Sequence, residues 1–154
     1  MVGNRIYKRP DSAVMGVIAD ASVVYELLFG KQNGEYQKLK EMITDGKITL
    51  RIPDTVRYEI FETIIKKRVE PKYLQRLLSL ITQFLECVTV EMNVDQLSKA
   101  AELCKKLEVN LSSAACLILA TTFGELYVTA DTSVADKLKK NGYPVLHIKE
   151  LFSI

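Results

Sequence analysis

The sequence predicts a three-layer α/β/α domain with a central parallel sheet of about five strands. Two observations lead there. Short apolar runs alternate with longer amphipathic ones, the pattern of strands buried on both faces and helices laid over them. The alternation persists almost throughout the chain, with no internal repeat or low-complexity linker to divide it. At 154 residues the chain suits one domain with a sizeable core.

In order, residues 16–19 (GVIA) read as the first strand and residues 22–30 as a short helix ending on Gly30. Residues 34–46 are helical, with Leu39, Met42 and Ile43 on one face and Gly46 as the stop. Residues 48–52 (ITLRI) form the second strand. Pro53 and Asp54 then start a helix over 53–69, with an apolar stripe of Val56, Ile60 and Ile64. Pro71 opens a helix to Leu85, and the β-branched run 87–91 (CVTVE) reads as a strand. Residues 93–109 make a helix with Leu97, Ala101, Cys104 and Leu107 inward. Residues 111–124 make a nearly all-apolar one, hence buried. A strand over 126–131 (LYVTAD), a helix over 132–142 and a strand over 144–148 complete the chain. Residues 1–14 are expected to be a polar extension, broken by Pro10 and Asp11, with the domain spanning 15–154.

Hydrophobic residues make up 48% and charged residues 26%, a globular balance, and the net charge of +2 favours no class of partner. No run of about twenty apolar residues suggests a membrane helix, and the N-terminal stretch lacks the apolar centre of a signal peptide. Cys87, Cys104 and Cys116 are odd in number, widely spaced and set among apolar neighbours. They are expected to be buried, reduced thiols of a cytoplasmic protein. With one histidine, His147, any metal would be held by oxygen.

Ligands of open parallel sheets bind beyond the carboxyl ends of the strands. Asp20 ends the first strand and Asp131 ends the strand over 126–131, while Glu59 lies early in the helix after the second strand. Three carboxylates on one rim repel one another, and a divalent cation relieves that repulsion. Carboxylate oxygens suit Mg²⁺ or Mn²⁺ and hence phosphodiester hydrolysis. Each acid has a plainer reading too: Asp20 and Asp131 as helix N-caps, and Glu59, with Glu62 close by, as a solvated helix position. Competing sites are absent. "DASVV" lacks the glycines of a dinucleotide turn, and neither a GxxxxGK[ST] loop nor a GxSxG elbow occurs. His147 reads as a partly buried strand residue, not a base.

With these residues in view the chain resembles the PIN domain family, metal-dependent ribonucleases that include VapC-type toxins and rRNA-processing nucleases. "VIADASVV" resembles the opening strand with its first acid, Asp20, and small hydroxyl residue, Ser22. "IPDTVRYEIFETI" places the second acid at Glu59, and "FGELYVTADTSVADKL" aligns Thr129 and the final acid, Asp131. The resemblance implies that Asp20, Glu59 and Asp131 are catalytic metal ligands, supported by hydrogen bonds from Ser22 and Thr129. One departure stands out. The family's third acid, at the start of the buried helix, falls on Ser113, a neutral and weak ligand. Ser112 and Ser113 read otherwise as caps of that helix, while Glu108 and Asn110 lie in the loop before it.

The resemblance further implies RNA as substrate, single-stranded or structured, a homodimer, and for toxin members a small antitoxin partner. Basic residues at 66–68 with Lys72 and Arg76, and Lys137, Lys139 and Lys140, suit either phosphate contact or plain solvated helix faces. Two functions therefore stand: a Mg²⁺- or Mn²⁺-dependent ribonuclease, and a PIN module that binds RNA or protein without cleaving because it lacks the third acid.

Overall fold

The computed structural model describes residues 14–31 and 34–153. The expected extension over 1–14 lies outside them except for Val14. Five strands form one sheet: β1 (Met15–Ala19), β2 (Ile48–Pro53), β3 (Thr89–Val90), β4 (Leu126–Thr129) and β5 (Val145–His147). Their order is β3-β2-β1-β4-β5 and every pairing is parallel. Between them run α1 (Ala21–Phe29), α2 (Gly34–Thr44), α3 (Asp54–Lys66), α4 (Pro71–Val88), α5 (Val94–Leu107), α6 (Leu111–Phe123) and α7 (Thr132–Lys140). A single turn, α8 (Ile148–Leu151), follows β5.

Both faces of the sheet are covered. Val17, Ile18 and Ala19 are consecutive, so they alternate between faces, and all are 0% exposed. The stripe predicted for α3 is buried as Val56, Ile60 and Ile64, and α6 buries eight residues around its circumference. Gly124 ends α6 with φ +65°, a left-handed turn that lets the chain drop directly into β4.

The differences from the sequence reading have local causes. Residues 87–91 contribute only Thr89 and Val90 to the sheet, because α4 runs on to Val88. Leu85, fully buried, keeps that last turn docked, and the Thr89 hydroxyl donates back to its carbonyl at 2.5 Å. On α5 the fully buried alanine is Ala100, whereas Ala101 is exposed. Of the three cysteines only Cys116 is buried; Cys87 is exposed near the end of α4 and Cys104 is intermediate. The turn α8 was unexpected because its cap is His147, whose Nδ1 accepts from Lys149 N at 3.2 Å, while Glu150 accepts from His147 N. Among the described residues no helix is long and apolar enough to cross a membrane.

Candidate functional site

The strand order reverses at β1 and β4, the adjacent pair from which the chain departs to opposite sides of the sheet. Such a switch point opens a crevice at the carboxyl ends of the strands. Asp20 leaves β1 there, and Asp131 follows β4 with Ala130 between them. A cleft of about 120 Å³ lies between them, lined by Asp20, Ser22, Glu59, Asn110, Ser112, Ser113 and Asp131, with Ala21 and Val134. All three predicted acids, the supporting Ser22 and the departing Ser113 therefore meet in one place. Thr129 stands just behind it, and Glu108 lies outside the lining.

Asp20 is buried at 6% exposure and held by three donors. Its Oδ1 accepts from Ser22 N at 3.1 Å and from the Ser22 hydroxyl at 2.5 Å; its Oδ2 accepts from the Tyr127 hydroxyl at 2.6 Å. Asp131 is exposed; its Oδ1 accepts from Val134 N at 3.2 Å, and its own N–H donates to Thr129 Oγ1 at 3.1 Å. Both aspartates are N-caps of the helices that follow. Capping and lining the cleft are thus compatible, since a carboxylate offers about four lone-pair sites and a cap uses one or two.

Glu59 reaches the cleft from α3 and is half-buried. Burial pushes its carboxyl above the ordinary range, the nearby Asp20 and Glu62 charges add to this, and a hydrogen bond from Ser112 opposes it. Ser112 and Ser113 are buried at 7% and 3% exposure. They do not cap α6 as expected: Asn110 does, its Oδ1 accepting from Ser113 N at 2.7 Å. That frees both serine hydroxyls to face polar groups of the site.

Sequence reasoning missed Tyr127. Ile18 and Tyr127 are register partners, and stepping two residues along each strand keeps the face. Asp20, Tyr127 and Thr129 therefore share one side. The signal was present: a tyrosine inside a strand buried on both faces must find an acceptor for its hydroxyl.

A wider groove of about 520 Å³ adjoins the cleft, sharing Ala21 and Ser22 with it and bounded by Tyr25, Glu26, Tyr36 and Thr63. Lys67 sits 5.0 Å over the Tyr25 ring. Other basic residues are engaged elsewhere: Lys66 with Glu62, Lys72 with Glu70, Lys139 with Glu150, and Lys137 on the Glu108 carbonyl. His147, partly buried, holds the Ala130 carbonyl at 3.0 Å through Nε2 and thereby braces the residue before Asp131.

The sequence profile of the PIN domain matches residues 17–137. This chain belongs to the PIN domain family. A search of curated proteins by sequence gave no match. Among solved structures this PIN domain is similar to PAE2754 from Pyrobaculum aerophilum, at 18% identity and a TM-score of 0.62 over 89% of this chain and 86% of that one. It is also similar to VapBC2 from Rickettsia felis, solved bound to a DNA fragment from its promoter, at 16% identity and 0.62 over 86% and 98%. A toxin–antitoxin complex from Klebsiella pneumoniae aligns at 14% identity and 0.63 over 86% and 97%. At these identities the likeness speaks for the fold.

PIN domains generally depend on a divalent metal, and the donor set of this cleft can be tested against one. It is all oxygen, three carboxylates with serine hydroxyls, which suits a hard cation. Yet among the described residues no three acidic, histidine or cysteine side chains stand close enough to share one ion. The residues fit an ion held by one or two carboxylates with waters completing its shell, the habit of Mg²⁺ and Mn²⁺ rather than of a tightly caged metal.

Proposed function

We propose that this PIN domain is a Mg²⁺- or Mn²⁺-dependent ribonuclease that hydrolyses phosphodiester bonds at the cleft between β1 and β4. One observation carries the reading: Asp20, Glu59 and Asp131, from three separate stretches of sequence, line the same small cleft at the switch point of the sheet. The bound cation would supply Lewis-acid polarisation of the phosphate and a lowered pKa for the attacking water. Asp20, Glu59 and Asp131 would hold it, one or two of them directly and the rest through its bound waters. Ser22 and Thr129 fix Asp20 and the Asp131 backbone by hydrogen bonds. Tyr25 and Tyr36 line the adjoining groove, and aromatic side chains beside a cleft suit contact with unpaired bases, which supports single-stranded RNA among the substrates.

Incubation of the purified protein with single-stranded and structured RNAs and Mn²⁺ tests this. Cleavage that disappears in Asp20→Asn supports it; inactivity of the wild type on all of them, with no difference from Asp20→Asn, refutes it. Ser113 favours a second reading, a PIN module that binds RNA or protein without cleaving. RNA binding measured by anisotropy with no cleavage under any divalent ion would establish that reading instead.

A toxin role with a small protein antitoxin is a narrower form of the first reading. Its support is the likeness to the Klebsiella pneumoniae toxin–antitoxin complex and an apolar groove between α1, α2 and α4, lined by Leu27, Leu28, Ile43 and Phe84. Expression that leaves growth unaffected would remove it. Self-association is proposed on the exposed pairs Tyr58 and Ile65 of α3 and Tyr73 and Leu80 of α4, each spaced seven residues along one helix face. A monomer mass in solution would refute that.

A further inference from the structure

Behind Asp20, buried outside the lining of the cleft, stands a side chain that the acids do not account for. Tyr127 is 0% exposed, on a strand whose neighbour Val128 is equally buried. An aliphatic residue would fill that position without a hydroxyl to satisfy, since a buried phenol is costly unless hydrogen-bonded. The cost is offset by a hydrogen bond in which the hydroxyl donates to Asp20 Oδ2 at 2.6 Å. Ser113, also buried, lies close enough to the same phenol to act on it, lowering its pKa against the rise that burial causes. Ser113 is the position at which the family pattern has its third acid.

We propose that Tyr127 is a positioning residue that, together with Ser113, takes the place of the missing third acid and fixes the Asp20 carboxylate for a divalent cation. The inference rests on the reading of the cleft as a cation site. Asp20 has about four lone-pair sites; Ser22 takes two through its N–H and hydroxyl and Tyr127 takes a third. One remains, so Asp20 offers a single, fixed bond to an ion. An acid at position 113 would contribute charge, whereas the Tyr127–Ser113 pair contributes only orientation. The pair also opposes a return to the family pattern. A carboxylate introduced at 113 becomes a competing acceptor for the phenol proton, draws it from Asp20, and is itself tied down.

Calorimetric titration of Mn²⁺ into the wild type, Tyr127→Phe, Ser113→Asp and the double variant tests this, with a metal-free melting curve for each. Tyr127→Phe is expected to weaken Mn²⁺ binding about 10–100-fold, the usual effect of removing a group that orients a ligand. Ser113→Asp alone is expected to change affinity less than threefold, and the double variant to bind more tightly than either single one. A Tyr127→Phe protein that melts lower but binds Mn²⁺ as the wild type does has lost packing alone, and overturns the inference. So does a tenfold gain from Ser113→Asp by itself. If Tyr127→Phe does not fold, Ser113→Ala serves: weaker Mn²⁺ binding supports the pair, and unchanged binding overturns it. Failure of the wild type to bind Mn²⁺ refutes the cation site itself, and the inference with it; binding that is indifferent to Tyr127 refutes the inference alone.

Discussion

The Ser22 hydroxyl accepts the backbone N–H of Ala130 at 2.9 Å, joining residues 108 apart in sequence. The same oxygen donates to Asp20 and lies 3.4 Å from Thr129 Oγ1, which in turn accepts from Asp131 N. One small side chain therefore couples the two aspartates through hydrogen bonds, and the sheet alone would not do so. Ser22→Ala should leave the Ala130 N–H without its partner, costing about 1–3 kcal/mol. It should also cut cleavage more than Ser22→Thr does. Melting curves and RNA cleavage on the two variants check it; equal activity in both would show that the hydroxyl is dispensable.

Asp131 has two roles that substitutions can separate. Asparagine caps a helix about as well as aspartate, whereas alanine costs about 1 kcal/mol. Asp131→Asn is therefore expected to keep the wild-type melting temperature while losing most of its cleavage, and Asp131→Ala to lose both. Similar activity in wild type and Asp131→Asn would reduce this residue to a cap.

Burial holds Glu59 above its ordinary 4.5. Relative to the unfolded chain, the metal-free fold therefore favours the protonated form of Glu59, a contribution to stability that is complete below about pH 4.5 and lost as pH rises through the folded-state value. The difference in melting temperature between wild type and Glu59→Gln should accordingly shift against the wild type as pH rises from 4.5 toward neutrality. Saturating Mn²⁺ should reverse that trend in the wild type only, because the ion requires the carboxylate. A difference that stays flat with pH would mean Glu59 is no more buried than a surface acid.

Ile60 adjoins Glu59 on α3 and is fully buried. Ile60→Ala should destabilise the fold by about 2–5 kcal/mol through lost burial and the cavity left behind, measured by denaturant unfolding. A cost under 1 kcal/mol would indicate that α3 repacks freely, and with it the arm that carries Glu59.

Much of the site was legible because its residues are tied to element ends. Asp20 and Asp131 follow strands whose apolar runs are plain in the sequence, and the parallel sheet fixes where those ends lie. Other features depended on neighbours far along the chain. Tyr127 counts as one more large residue in a buried strand until β1 brings Asp20 to its hydroxyl. Ser112 and Ser113 look like caps, but Asn110 stands one residue before the helix and supplies the oxygen. Cys87 sits among apolar letters, yet falls on the side of α4 that faces solvent.

The sequence by itself determined the order of strands and helices and the family, because hydrophobic period and motif spacing are local properties of the chain. It also placed three acids at one end of the sheet. The tertiary structure decided what surrounds them: that both aspartates cap and line the cleft at once, that Ser22 links them, and that a phenol stands behind Asp20 in a site whose expected third carboxylate is Ser113. Those contacts join residues about a hundred positions apart, and burial makes each hydrogen bond count, since a polar group removed from water must find its partner within the fold.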